Sequence, residues 1–136
     1  KTIHSYFKAF KKVSEQLFDM FEKDEAAHTD IVKCATNSFT FTSNKVRKDV
    51  IKNCQPYLIE QIKKYQPDLI ICNGAAVCET IKSIVKPKKE LNGLETSYVG
   101  SIDNYKVRVV LSGFIGRIDN YARRRLGKEI EQYLNK

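Results

Sequence analysis

Gln66-Pro67-Asp68-Leu69-Ile70-Ile71-Cys72-Asn73-Gly74-Ala75-Ala76 is the stretch that decides the fold class of this chain. Leu69 to Cys72 are apolar at successive positions, the pattern of a strand covered on both faces within a parallel sheet. The run stops at Asn73-Gly74 and passes directly into residues that favour a helix. Gly74 permits close backbone approach where the strand ends. In open α/β sheets, ligands bind outside the carboxyl ends of the strands. The stretch therefore predicts an α/β architecture and marks the edge of the functional site, while an Asn-Gly turn alone names no chemistry.

Working outward, helical periodicity covers residues 3 to 23, with Ile3, Phe7, Phe10, Leu17 and Phe21 on one face. This aromatic stripe reads as core. Residues 28 to 34 read as a short strand, and 36 to 44 as a polar loop broken by Phe39 and Phe41. A second helix is predicted from Val46 to Lys64, capped by Ser43 or Asn44. Its face is Val46, Val50, Cys54, Leu58 and Ile62, and Gln66-Pro67 ends it. A third helix should run from Ala75 to Val85 and stop at Pro87. Residues 95 to 103 and 105 to 111 form a predicted hairpin about Asp103-Asn104. After the break Ser112-Gly113-Phe114-Ile115-Gly116-Arg117, a last amphipathic helix spans 118 to 134, with Ala122, Leu126, Ile130 and Leu134 on one face. The pattern predicts one α/β domain over residues 1 to 136 with a mainly parallel sheet.

Charge and cysteine content narrow the function classes. Lys and Arg number 24 against 16 Asp and Glu, a net charge of +8. Such an excess suits a polyanionic partner or a solvated basic surface. No stretch reaches the length of a membrane span, and no signal-peptide pattern is visible, so no membrane partner is expected. Cys34, Cys54, Cys72 and Cys78 form no Cys-x-x-Cys pair. Cys72 and Cys78 read as small hydrophobes, and a reducing, intracellular and cytoplasmic setting is expected. His4 and His28 lack zinc-ligand spacing with the cysteines, so neither a metal nor another cofactor is expected. The oligomeric state is left open.

Taken in order, four elements resemble the uracil-DNA glycosylase superfamily. They are His28-Thr29-Asp30-Ile31-Val32-Lys33-Cys34, Asn53-Cys54-Gln55-Pro56-Tyr57-Leu58, Pro67 through Gly74, and the strand ending at Leu111 with its loop and basic helix. The resemblance covers residues 28 to 136 and implies a three-layer α/β/α sandwich. It also implies a glycosylase-like role in DNA repair, hydrolysing the N-glycosidic bond of a base rotated out of its stack. The departures are specific. No counterpart of the family's early water-positioning motif precedes residue 28, as if an N-terminal part were missing. Asp30 stands where many members carry a base-reading Asn, and an ionised carboxylate lacks the amide donor. Near Ser112-Gly113-Phe114, where the family's His-Pro-Ser loop would fall, there is no His to stabilise charge on the departing base. Cys34 and Cys54 match the places of two iron–sulfur ligands in cluster-bearing branches, but a cluster needs four thiolates.

The candidate site follows from the strand ends. Asp30 and Ser112 are the candidate catalytic residues. Asp30 would position a water or accept from an exocyclic amine, or else cap a loop. Asn73 and Gly74 would offer backbone N–H groups to a phosphate or sugar, or simply make a tight turn. With Gly113 and Phe114 they form the candidate base- or ligand-binding set. Phe114 or Ile115 is either a wedge into the base stack or a cover for the core. Arg117, Arg123 and Arg124, with Arg125 and Lys128, would grip phosphates of DNA, or would instead be a solvated face paired to Glu129 and Glu131. Two alternatives to an enzyme remain. One is a non-catalytic module on the same fold that binds nucleic acid, a nucleotide or a protein. The other is an unrelated nucleotide-binding protein, although the sequence has no Gly-x-Gly-x-x-Gly fingerprint or P-loop.

Overall fold

The computed structural model describes residues 5–28 and 44–135. Five helices and four strands follow in the order α1 (Ser5–Val13), α2 (Glu15–Glu22), α3 (Asn44–Tyr65), β1 (Leu69–Asn73), α4 (Ala75–Ile84), β2 (Lys86–Pro87), β3 (Ser97–Ile102), β4 (Tyr105–Ser112) and α5 (Asn120–Leu134) among the described residues. The strand expected over residues 28 to 34 falls, apart from His28, outside them. So do Asp30 and Cys34.

The first predicted helix is two helices. Ser14 breaks it in an extended conformation and N-caps α2, its hydroxyl oxygen accepting from the Leu17 N–H at 3.1 Å. Serine is favoured at such a position because its side chain satisfies a donor that the helix leaves unpaired. Of the stripe, Phe10 and Leu17 are buried and the Phe10 and Phe21 rings lie 5.6 Å apart, while Ile3 and the Phe7 side chain fall outside what the structure describes. At the end of α3, Gln66 takes a positive φ of 44°, consistent with the bias against α-conformation before Pro67.

The sheet has the order β1-β4-β3-β2. β1 runs parallel to β4, from Leu69 opposite Arg108 to Asn73 opposite Ser112. The β3–β4 and β2–β3 pairs are antiparallel. The fold is α/β, but the expectation of a mainly parallel sheet is corrected. The physical reason is the turn at Asp103-Asn104: two residues can join only antiparallel neighbours. Asp103 adopts the positive φ of 52° that such a turn requires. Pro87, which has no N–H to donate, sits on the short edge strand β2, a position compatible with proline.

Successive β1 residues divide between two buried clusters. Ile70 and Cys72 join Leu58 and Ile62 of α3, Ile81 and Ile84 of α4, and Val107 and Val109 of β4. Leu69 and Ile71 join Phe10 and Val13 of α1, Leu17 of α2, Leu126 and Ile130 of α5, and Val110 of β4. Strand side chains alternate between faces, so the two clusters lie on opposite sides of the sheet. This arrangement explains the unbroken apolar run of β1 and aligns the carboxyl ends of β1 and β4.

Candidate nucleic-acid interface

The parallel register sets Asn73 beside Ser112 at the sheet edge. The Gly74 N–H donates to the Ser112 carbonyl at 2.9 Å, which joins the two strand ends. Gly74 therefore does not offer this N–H to a ligand, as the sequence reading allowed. Its φ of 108° belongs to glycine, and it supplies no side chain to cap α4. The first-turn N–H groups of Ala75, Ala76 and Val77 have no intrahelical acceptor, and they stand at the positive end of the α4 dipole. Replacing Gly74 by alanine places a Cβ in ordinary contact distance of Phe114, so the strain is one of backbone conformation. We expect a loss of about 1–3 kcal/mol in urea unfolding; an unchanged midpoint would refute that conformational demand.

The loop after β4 is held at Ile115. Its side chain is 1% exposed within the α1–α2–α5 cluster. Its N–H donates to Asn73 Oδ1 at 2.6 Å, and its carbonyl accepts from Arg123 Nε at 3.0 Å. Of the two residues, Ile115 covers the core, and Phe114 stands 41% exposed. The Arg117 guanidinium lies 5.5 Å from the Phe114 ring centroid, within cation–π range. Phe114→Ala should leave the unfolding midpoint within about 0.5 kcal/mol of the parent. It should still weaken single-strand binding by about 1–3 kcal/mol, the usual worth of a base–aromatic stack. Titration of a labelled oligonucleotide beside the unfolding curve separates the two effects, and equal binding by both proteins would remove Phe114 from the interface.

The basic residues are not equivalent. Besides Ile115, Arg123 bonds Asn120 Oδ1 at 3.2 Å, so this guanidinium fixes the loop to α5. Arg117 lies before the helix, because α5 begins at Asn120 with Asp119 as N-cap. Tyr121, Arg124, Arg125 and Lys128 are exposed at three- and four-residue steps and share the outer face of α5. Glu129 accepts from the Thr96 hydroxyl at 2.7 Å, and Glu131 from the Ser14 hydroxyl. The two carboxylates thus reach towards β3 and α2 in these bonds.

Ser112 uses its hydroxyl locally, donating to the Gly113 carbonyl at 2.7 Å. Behind it are two thiols. The Cys78 S–H donates to the Ser112 carbonyl at 3.5 Å. Cys72 is fully buried in the cluster against which Cys78 packs. Cys72, the Ser112 backbone and Lys82 favour the Cys78 thiolate and lower that thiol to about 7, against burial and Glu79, while the Cys72 thiol is pushed upward by Cys78 and by burial. As read from the sequence, both pack as small hydrophobic side chains, Cys72 within the cluster of α3, α4 and β4 and Cys78 against it. Asn73 as a clamp was not legible, since its partner Ile115 is brought to it by the pairing of β1 with β4.

A family model described as the uracil DNA glycosylase superfamily matches residues 4–130. The chain belongs to this superfamily. No curated protein and no solved structure matches it. In this superfamily member, the loop leaving β4 carries Ser112, Gly113 and Phe114 and no histidine. Of the two cysteines at cluster-ligand places, Cys54 is buried on α3, and Cys34 lies outside the described residues. Among the described residues, no group of three or more His, Cys, Asp or Glu side chains is placed to hold a metal ion. No helix among them is long and apolar enough to cross a membrane.

Proposed function

We propose that this superfamily member is a DNA glycosylase-like protein that engages DNA at the joined carboxyl ends of β1 and β4. The observation that carries the reading is the loop after β4. Ile115 is locked by its buried side chain, Asn73 and Arg123, while its neighbour Phe114 is held out beside the start of α4. A rigidly mounted aromatic group suits insertion where a base has left its stack. The uncapped first turn of α4 suits a phosphate, and Arg117 and Arg124, with Arg125 and Lys128, extend the positive surface along α5. Arg123 acts as a positioning residue. The two clusters on opposite sides of the sheet support a three-layer α/β/α arrangement for the domain.

For base excision, Asp30 is the residue assigned to hold the attacking water or to accept from an exocyclic amine. Hydrolysis would break the bond between the base and the sugar C1′, with the water oxygen joining C1′ and a proton passing to the base. The second reading is a binding module without base release. It is favoured by the local bond of the Ser112 hydroxyl and by Asp30 standing where an amide would read the base.

The test is titration of single- and double-stranded oligonucleotides, with and without uracil or an abasic site, across a salt series. Alkali treatment then reveals any abasic sites. Salt-sensitive binding with scission that is lost in Asp30→Ala supports excision. Binding without scission supports the module, and absence of binding at low salt overturns DNA engagement.

A further inference from the structure

The sequence contains two Asn-Gly steps, Asn73-Gly74 and Asn92-Gly93, and the fold gives them opposite surroundings. An asparagine side chain is open to attack by the backbone nitrogen of the next residue, and glycine hinders that attack least because it has no Cβ. Asn92, Gly93 and Leu94 are exposed in the turn before β3, where the Glu95 N–H donates to the Asn92 carbonyl at 3.4 Å. The Leu94 N–H donates to Asn92 Oδ1 at 2.8 Å. This Asx turn closes a ring that contains both Asn92 Cγ and the Gly93 nitrogen, which keeps the two reacting atoms together. It also sets a backbone donor on the oxygen where negative charge develops during the attack. The space around Gly93 is open: a Cβ built there meets nothing within 4 Å. Asn73 differs on each count. Its Oδ1 accepts from the Ile115 N–H, 42 positions away, and the Gly74 N–H donates to the Ser112 carbonyl at 2.9 Å. The would-be nucleophile is tied into the strand-end joint, and Gly74 is held at a φ of 108°.

We propose that Asn92 is a site of spontaneous deamidation and isoaspartate formation in the folded protein, and that the joint between β1 and β4 shields Asn73 from the same reaction. A base in solvent takes the Gly93 N–H proton, and the nitrogen attacks Asn92 Cγ. The new N–C bond closes a succinimide, the bond from Cγ to the amide nitrogen breaks, and ammonia leaves with a proton. Water then opens the imide at one of its two carbonyl carbons. Breaking the bond from nitrogen to Cγ gives aspartate. Breaking the bond to the main-chain carbonyl carbon gives isoaspartate, with the chain continuing through Cγ. In balance, one amide and one water give one carboxylic acid and one ammonia. The product adds a carboxylate to the exposed loop that carries Lys88 and Lys89 and takes one unit from the net charge of +8. An isoaspartyl carboxylate exposed in this way is open to a methyltransferase that recognises isoaspartate. At Asn73 the bonds of Gly74 and Ile115 must open first, so the reaction there follows the locally opened state.

Trypsin separates the two sites, releasing Asn73 in residues 65–82 and Asn92 in residues 90–106. The purified chain is incubated in mildly alkaline buffer, with and without denaturing urea, and sampled over days by digestion and mass spectrometry. A zero-time digest sets the background, and fragment ions separate Asn92 from Asn104 in the same peptide. In the folded chain, the 90–106 peptide should gain a product heavier by the difference between OH and NH2 at Asn92. That product should resolve into two forms, of which only the isoaspartyl form takes a methyl group from S-adenosylmethionine with an isoaspartyl methyltransferase. The 65–82 peptide should stay unchanged. In urea both peptides should convert at similar rates. Gly93→Ala, whose added Cβ meets open space, should keep the unfolding midpoint and slow conversion of Asn92 severalfold. An Asn92 that stays unchanged in the folded chain overturns the proposal. Equal conversion of Asn73 and Asn92 in the folded chain overturns the shielding. None of these readouts depends on DNA, and the parent result requires no variant to fold.

Discussion

Gly127→Ala should destabilise the protein by about 3 kcal/mol, at the upper end of the usual cost of overpacking. Intrinsic propensity points the other way, since alanine is favoured over glycine in a helix interior by about 1 kcal/mol. Packing reverses the sign. Gly127 is buried in the middle of α5, and a Cβ built there runs into the Val13 carbonyl oxygen at the end of α1. Backbone cannot rotate aside as a side-chain tip can, so α1 or α5 must shift. The shift would strain the joint around it, where Ser14 bonds Glu131 and Gln16 exchanges hydrogen bonds with Asn135. It would also loosen the cluster that buries Ile115 and thereby the loop carrying Phe114. Urea unfolding of Gly127→Ala beside Lys128→Ala, one position along on the exposed face, gives the comparison. A midpoint for Gly127→Ala at or above the parent would refute the close approach.

The second large effect concerns charge. In the proposed interface, Arg117, Arg124, Arg125 and Lys128 each neutralise a phosphate, and each neutralised phosphate releases counterions. Replacing all four by alanine should lower the log–log salt slope of duplex binding by about 3–4, at about 0.9 for each phosphate left without its cationic side chain. The drop in affinity should be nearly uniform across sequences, because groups that grip phosphates carry no base information. These residues are exposed, so unfolding should move by no more than about 0.5 kcal/mol for each substitution. Arg123→Ala should behave differently. Its bonds to Ile115 and Asn120 hold the loop, so the expected result is altered loop stability with a smaller change in salt slope. Anisotropy titrations from low to moderate salt check this; a slope unchanged in the fourfold variant would remove α5 from the interface.

Local chemistry accounts for what could be read without a structure. The stop at Asn73-Gly74, the hairpin at Asp103-Asn104 and the buried faces of α3 and α5 each follow from residues close in sequence. Ser14 is a strong N-cap residue, but continuous apolar periodicity on both sides concealed the break between α1 and α2. The mainly parallel sheet was an overextension from one apolar strand: β1 does pair in parallel, but the hairpin turn and edge strand β2 make the other described pairs antiparallel.

By itself, the sequence determined that this is a basic α/β chain whose apolar strand β1 stops at Asn73-Gly74, because strand periodicity, turn chemistry and net charge are properties of neighbouring residues or of composition. Only the tertiary structure decided which residue of the Phe114-Ile115 pair is buried, which arginine fixes a loop, and where Gly127 meets Val13. Asn73 and Ile115 are 42 positions apart, and Ser14 and Glu131 are 117 apart. No local propensity specifies such pairings. They arise when burying two faces of one sheet brings distant backbone and side-chain groups within bonding distance.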